Sequence, residues 1–447
     1  MKKLTVLSPT AILGYGFPRQ SFLDGLAHNP DVIGVDAGSV DPGPYYLGAG
    51  ESFTDRAAVK RDLSLILPEA LKRKIPVLIG SAGGSGALPH LNWNREIIEE
   101  IAAEHNLQFT LAVIPADIDK EYLRQHLDKT SPLGPLPPLE PRTVAETSNI
   151  VAQMGWEPFV AALEQGADVV LAGRTYDPAV FAALAIQQGF PQGPALHMGK
   201  ILECAAIAAD PGSGRDCMVG ILDEEGFTLA PTNPQRRCTV KSVAAHSLYE
   251  KSNPWLLPGP GGALDLKEAQ YQQVDERTVR VTGSKYVPSD QYYIKLEGAR
   301  RVGYRTLTIA GVRDPILIRQ LDQVLDQVRA AVQDNFEKAE DFNLHFHAYG
   351  INGVMGELEP TPVPGHEVGL VIDVVAPTQE QANTICSFCR STLLHFGYSG
   401  RISTAGNLAL PYSPSDITAG AVYEFCIHHL LPSEPNFFKP ELVEVGK

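Results

Sequence analysis

"ADVVLAGRTYDPAVFAALAIQQG", residues 167–189, decides the fold. Four apolar residues, Val169 to Ala172, end in Gly173; an Asp-Pro step then opens a segment with helical apolar spacing. An apolar run without polar alternation marks a strand buried on both faces, and the helix behind it covers one of them. The order recurs upstream: "DVIGVDAG" precedes "DRAAVKRDLSLILPEALKRK", "IPVLIGSAGG" precedes "NREIIEEIAAEHN", and "QFTLAVIPA" precedes "DKEYLRQHL". "TVL" near the start reads as a further buried strand. The class is therefore α/β, with an N-terminal, mostly parallel sheet carrying helices on both faces. Right-handed crossovers place the strand C-termini on one edge, where ligands of such sheets bind.

Near Pro211 the texture changes. "MVGILDEEGFTLAP", "RRCTVKSVAAHSLY" and "RTVRVTGSKYVPSD" are short β-rich pieces; after them strand and helix patterns follow in β-α-β-β-α order. This predicts an α/β domain at 1–215 carrying the site loops, and a second, β-rich and α+β domain at 216–447. The Pro-rich "KTSPLGPLPPLEPRT" reads as a surface excursion.

At 447 residues the chain exceeds one ordinary core. Its 37 Lys and Arg against 52 Asp and Glu give a net charge of −15, which disfavours a nucleic-acid partner but not a small anionic substrate held by local cations. No apolar stretch approaches ~20 residues, so no membrane span is expected, and "MKKLTVLSPTAILGYGF" lacks the apolar centre of a signal peptide. The six cysteines are scattered, which fits reduced thiols and a cytoplasmic location. Cys386 and Cys389 form a C-x-x-C inside a helical pattern and read as core packing.

Four loops gather at the predicted sheet edge. "DAGSVDPGPYY" offers Asp36, Ser39, Asp41 and Tyr45; Asp36 and Asp41 suit a hard divalent cation such as Mg²⁺, while Asx turns explain the same residues structurally. "GSAGGSGALPH" follows a strand with four glycines in seven residues. It matches neither a P-loop nor G-x-G-x-x-G, yet Ser81, Gly83 and Gly84 can cradle a carboxylate or oxyanion, and His90 closes the loop as a candidate acid/base. "LAGRTYDPAVF" supplies Arg174, which calls for an anionic partner in substrate or protein, and Asp177 as a helix cap. "HMGKILECAA" sets His197, Lys200 and Cys204 on one helical face with Glu203 beside them, a set suited to proton transfer. In the second half, His345 and His347 alternate on one strand face and lack a clear third ligand, and Arg401 in "STAGNLALPYSPSDI" can bind an anion.

These segments together, above all "VDAGSVDPGPYYLGAG", "IGSAGGSG" and "HMGKILECAA", resemble the acyclic terpene utilisation family, the AtuA-like proteins, over nearly the whole chain. The D-A-G-S-x-D-P-G-P-Y-Y-L-G form resembles a branch other than the terpene-degrading one, so the terpene substrate does not carry over. The resemblance implies a cytoplasmic catabolic protein, often encoded beside a small partner protein that joins it in a complex.

The residues themselves point to a lyase, hydratase or isomerase acting on a small carboxylic or hydroxy acid, or its thioester, by proton abstraction. Asp36, Lys200, Glu203 and His90 are the catalytic candidates. Ser39, Ser81, Gly83, Gly84, Arg174, Asp177 and Tyr45 are the binding candidates, with Asp36 and Asp41 as metal ligands. The alternatives are a hydrolase using Ser81, or a non-catalytic subunit working with a small partner. A homo-oligomer is expected.

Overall fold

Ten strands join in one sheet. The structure, a computed structural model, describes residues 2–248, 253–337, 341–361, 363–402 and 404–446. In chain order the ten strands are β1 (Leu4–Ser8), β2 (Val32–Asp36), β3 (Val77–Gly80), β4 (Phe109–Ile114), β5 (Val169–Ala172), β6 (Met218–Leu222), β7 (Gly226–Pro231), β8 (Gln270–Gln273), β9 (Val279–Thr282) and β10 (Glu441–Val445). They lie in the order β8-β9-β7-β6-β1-β2-β3-β5-β4-β10. The five at the centre are parallel, β1 to β2 to β3 to β5 to β4, and the flanks pair antiparallel. The overall class is α/β.

Alternation along each central strand feeds two cores. Leu78, Ala112, Val170 and Ala172 face the helices Asp177–Gln187 and Gln192–Leu202. Ile79, Leu111, Val169 and Leu171 face Arg19–Leu26, Arg56–Arg73 and Leu88–His105 on the other side. Full burial of one such side chain contributes about 1.5–3 kcal/mol, so both faces of these short strands are strongly specified. Gly34 and Gly80 let Phe181 and Val180 seat directly on the sheet: a Cβ on either glycine would lie 2.5 Å from those side chains.

The chain divides into two compact units, Met1–Arg300 with Phe425–Lys447, and Arg301–Glu424. The texture change near residue 215 marks the turn from parallel to antiparallel pairing within one sheet, because β6 pairs with β1 and β7 with β6. Residues 216–300 thus belong to the first unit. There, residues 295–300 of the strand Tyr293–Val312 pair with the strand Thr147–Gln153.

The second unit carries the β-α-β-β-α order. Residues 304–312 pair with Val368–Ala376, which pairs with Asn343–Tyr349, and helices Leu321–Asn335 and Gln379–His395 contribute the apolar side chains packed with them. Cys386 and Cys389 are fully buried in this core, and burial pushes their thiols up to about 11 and about 12. All six cysteines are free. No helix among the described residues is long and apolar enough to cross a membrane.

Candidate functional site

The C-terminal ends of β2, β3 and β5 share one edge, and their loops interlock there by glycine contacts. The Ala37 N–H donates to Gly80 O over 3.0 Å, and Ser81 N–H donates to Gly173 O over 2.9 Å. Gly38 lies against Gly84: a Cβ on Gly38 would sit 2.8 Å from the Gly84 Cα and 2.3 Å from the Phe53 ring. Gly86 presses on the Arg174 backbone, where a Cβ would meet its nitrogen at 2.1 Å. Ser81, Gly83, Gly84 and Gly86 all adopt positive φ, the region glycine enters at least cost. The Gly84 N–H closes the turn on Ser81 O, so close packing accounts for much of the glycine content.

Arg174 stands at the centre of this edge, almost fully buried. Its Nε donates to Glu297 Oε2 at 2.7 Å, and Nη1 donates to Ser81 Oγ, Thr175 O and Asp177 Oδ1 at 3.1, 3.1 and 3.2 Å. Nη2 has no hydrogen-bond partner among the described residues, which leaves its two N–H donors available. Burial opposes the guanidinium charge, but Glu297 and Asp177 outweigh it and hold the group firmly protonated. Glu297 also meets Lys295 Nζ at 2.7 Å; against its own burial, the two cations lower its carboxyl to about 2.

Asp36 ends β2 in the same neighbourhood. Its Oδ1 accepts the Gly38 N–H at 3.0 Å, and burial, followed by repulsion from Asp177 and Glu203, raises its carboxyl well above the ordinary range. Burial and neighbouring carboxylates both disfavour the charged form, which is the direction a general acid needs.

Lys200 Nζ donates to Glu203 Oε1 at 2.6 Å, with both side chains buried at the end of the helix Gln192–Leu202. That helix is buried along Gly193–Leu202 and packs so closely on Asp177–Gln187 that a Cβ on Gly199 would meet Pro178 O at 2.4 Å. Tyr176 belongs to the same cluster: burial, then Glu203 and Asp177, raise its phenol.

Of the predicted residues, Asp36, Ser81, Arg174, Asp177, Lys200 and Glu203 therefore come together. Asp177 is the first residue of its helix and an Arg174 partner; Tyr176 holds the cap position. Ser81 Oγ accepts from Arg174 and from the Thr175 N–H, and no imidazole bonds it among the described residues.

The remaining candidates sit apart. Ser39 Oγ accepts the Asp41 N–H in a local turn, and Asp41 is exposed. The Tyr45 hydroxyl donates to Glu51 and the residue is exposed. His90 is buried beneath Gly83, its Nε2 at 2.9 Å from Glu51 O, and burial lowers its pKa. His197 lies between Ser284 and Ser247, at 2.7 and 2.9 Å, and burial pushes its imidazole down to about 3, so it stays neutral. Arg401 donates to His395 O and Ala405 O within the second unit; Ser403 of the same loop lies outside the described residues. His347 faces Asp373 at 3.7 Å, and among the described residues no group of three or more His, Cys, Asp or Glu is arranged to hold a metal.

Sequence reading missed Glu297, Lys295 and Tyr176. In "YYIKLEGARR" the two charges are two apart on a strand and so share a face. That alternation marks an acid on a buried strand, but nothing local names Arg174 as its partner.

Residues 55–409 match the family model described as acyclic terpene utilisation family protein AtuA. No curated protein and no solved structure matches the chain.

Proposed function

The chain belongs to the acyclic terpene utilisation family, and from that premise we propose that it is a catabolic lyase, hydratase or isomerase acting on a small carboxylic or hydroxy acid, free or as its thioester. The observation that carries this reading is the convergence of Asp36, Asp177, Glu203, Arg174 and Lys200 on one buried edge. Arg174 offers its remaining guanidinium donors to the substrate carboxylate or carbonyl oxygen, already oriented by Glu297 and Asp177. The Lys200–Glu203 pair exchanges the proton next to that carbonyl, and a negative charge developing on the oxygen is met by Arg174. Asp36, whose carboxyl burial and its acidic neighbours shift toward the protonated form, donates to the departing hydroxyl or to the isomerised carbon. General acid and base groups placed this way contribute about 10²–10⁴-fold each. Ser81 holds Arg174 in place. The protein is proposed to act as a homo-oligomer, with a small partner protein.

The test reads proton abstraction directly. Purified protein in D₂O, given a panel of hydroxy acids and their thioesters, should exchange the carbon-bound hydrogen next to the carbonyl of its substrate, as seen by NMR. Asp36→Asn should keep this exchange while losing net elimination or isomerisation, and Lys200→Met should lose both. Unchanged turnover in both variants sinks the reading.

A further inference from the structure

A cavity lies in the first unit beside the polar cluster. Its volume is about 420 Å³, within the range of ~300–1,000 Å³ typical of small-molecule sites. The walls are mostly apolar, among them Leu133, Leu256, Pro258, Ala263 and Leu430; Gln153, Ser289 and Tyr293 add polar groups, and among the described residues Lys295 is the one charged residue lining it.

Two features give this groove a chemistry. The first is the state of Lys295. Its ammonium lies 2.7 Å from Glu297 Oε1 as an ion pair without hydrogen-bond geometry, and its donors meet no protein acceptor in hydrogen-bond geometry among the described residues. Glu297 divides its single charge between Lys295 and Arg174, so the lysine's positive charge is only partly balanced. The second is the rigidity of the wall. The strands Leu256–Gly259 and Gly262–Asp265 pair antiparallel, and a Cβ on Gly259 would lie 2.9 Å from the Tyr176 ring. Gly262 is equally tight against Tyr286, at 2.6 Å. The groove is thus formed against the buried ring of Tyr176, itself part of the cluster, and the half-buried ring of Tyr286.

We propose that this groove binds an aliphatic monocarboxylate, with its head group on Lys295 Nζ and its alkyl chain along Leu256, Pro258, Ala263 and Leu430. Water's share of ~30 Å³ per molecule scales the volume to about ten to fourteen non-hydrogen atoms, the size of an octanoate or decanoate. A dianion fits poorly, because a second negative charge finds no second cation in the lining. A neutral chain of the same length gains the walls but not the lysine. Lys295 reaches the cluster through Glu297, which it shares with Arg174, but the proposal uses none of the proton-transfer groups proposed there.

Calorimetric titration of the full-length protein with octanoate, octan-1-ol and octylamine tests it. Octanoate should bind one to one and at least about tenfold more tightly than octan-1-ol, a difference of ~1.4 kcal/mol; octylamine should bind weakest. Lys295→Met should remove the preference for octanoate while leaving octanol binding within about twofold, since Glu297 keeps Arg174 as its partner. Lys295→Arg should retain the preference. Ala263→Phe, filling the groove, should abolish binding of both, with thermal melting confirming that each variant is folded. Asp36→Asn should leave octanoate binding unchanged, which separates the groove from the cluster. Equal affinity for acid and alcohol, no binding of either, or octanoate binding that survives Ala263→Phe overturns the proposal.

Discussion

Arg174 Nε donates to Glu297 Oε2 over 2.7 Å with both side chains buried, and this pair ties the loop after β5 to the strand Tyr293–Val312. Breaking a buried pair by removing one partner leaves an uncompensated charge and costs about 3–5 kcal/mol, whereas replacing both by apolar groups costs far less. Glu297→Ala should therefore lower stability in urea titrations by that amount. Arg174→Met combined with Glu297→Met should be more stable than Glu297→Ala alone. Equal or greater loss in the double variant shows the pair to be net stabilising.

Gly38 and Gly43 flank the opening of the β2 loop, and they differ in what surrounds them. At Gly38 (φ +133°) a Cβ would strike the Phe53 ring and the Gly84 backbone; at Gly43 (φ +110°) it would meet nothing within 4 Å. Backbone strain of ~1–3 kcal/mol applies to both, and overpacking of ~1–3 kcal/mol only to Gly38. Gly38→Ala should thus melt several degrees below Gly43→Ala in thermal scans. Indistinguishable melting temperatures contradict the contact between the first two loops.

The same loop explains what could be read in advance. Its strand, and the strands at Val77, Phe109 and Val169, were legible because unbroken apolar runs before helices have few other structural solutions. The shared edge of Asp36, Ser81 and Arg174 follows from parallel topology, since each ends or follows a parallel strand, whereas Lys200 reaches it on a helix that follows another helix. Asp41 and Tyr45, read from the same motif, face outward, because a turn rich in Gly and Pro leaves the direction of each side chain undetermined. His90 was read from its place beside glycines; of these Gly83 packs on its side chain, where a Cβ would lie 2.8 Å from His90 Cβ, while Gly84 and Gly86 make room for Phe53 and the Arg174 backbone. Glu297 was illegible, since its partner is 123 residues away and only tertiary pairing joins them. The change near residue 215 was seen but separates two modes of strand pairing within one sheet.

Glu157 is a half-buried acid outside the cluster, its Oε2 accepting from the Tyr292 hydroxyl at 3.0 Å. Burial raises it from 4.5 to about 7. The folded state therefore retains a proton that the unfolded chain releases, so stability falls as pH rises from about 4.5 to about 7 and is level above. The loss is at most about 3 kcal/mol. Glu157→Gln should flatten this slope in urea titrations at successive pH values, and a slope unaltered by the substitution rules out Glu157 as its source.

His197 tilts the profile the other way. Burial lowers its imidazole from 6.5 to about 3, while Ser284 and Ser247 hold the ring in place. Below pH 6.5 the unfolded chain binds a proton that the folded state refuses, so stability is lost as pH falls from about 6.5 toward 3 and is fully present above. This contribution reaches about 4 kcal/mol. Between pH 4.5 and 6.5 the two groups oppose each other, and the wild-type profile there should be flatter than that of either single variant. His197→Gln keeps a donor and an acceptor for the two serines. It should therefore expose the Glu157 slope, with stability rising as pH drops through this window; a wild-type-like profile in His197→Gln refutes the assignment.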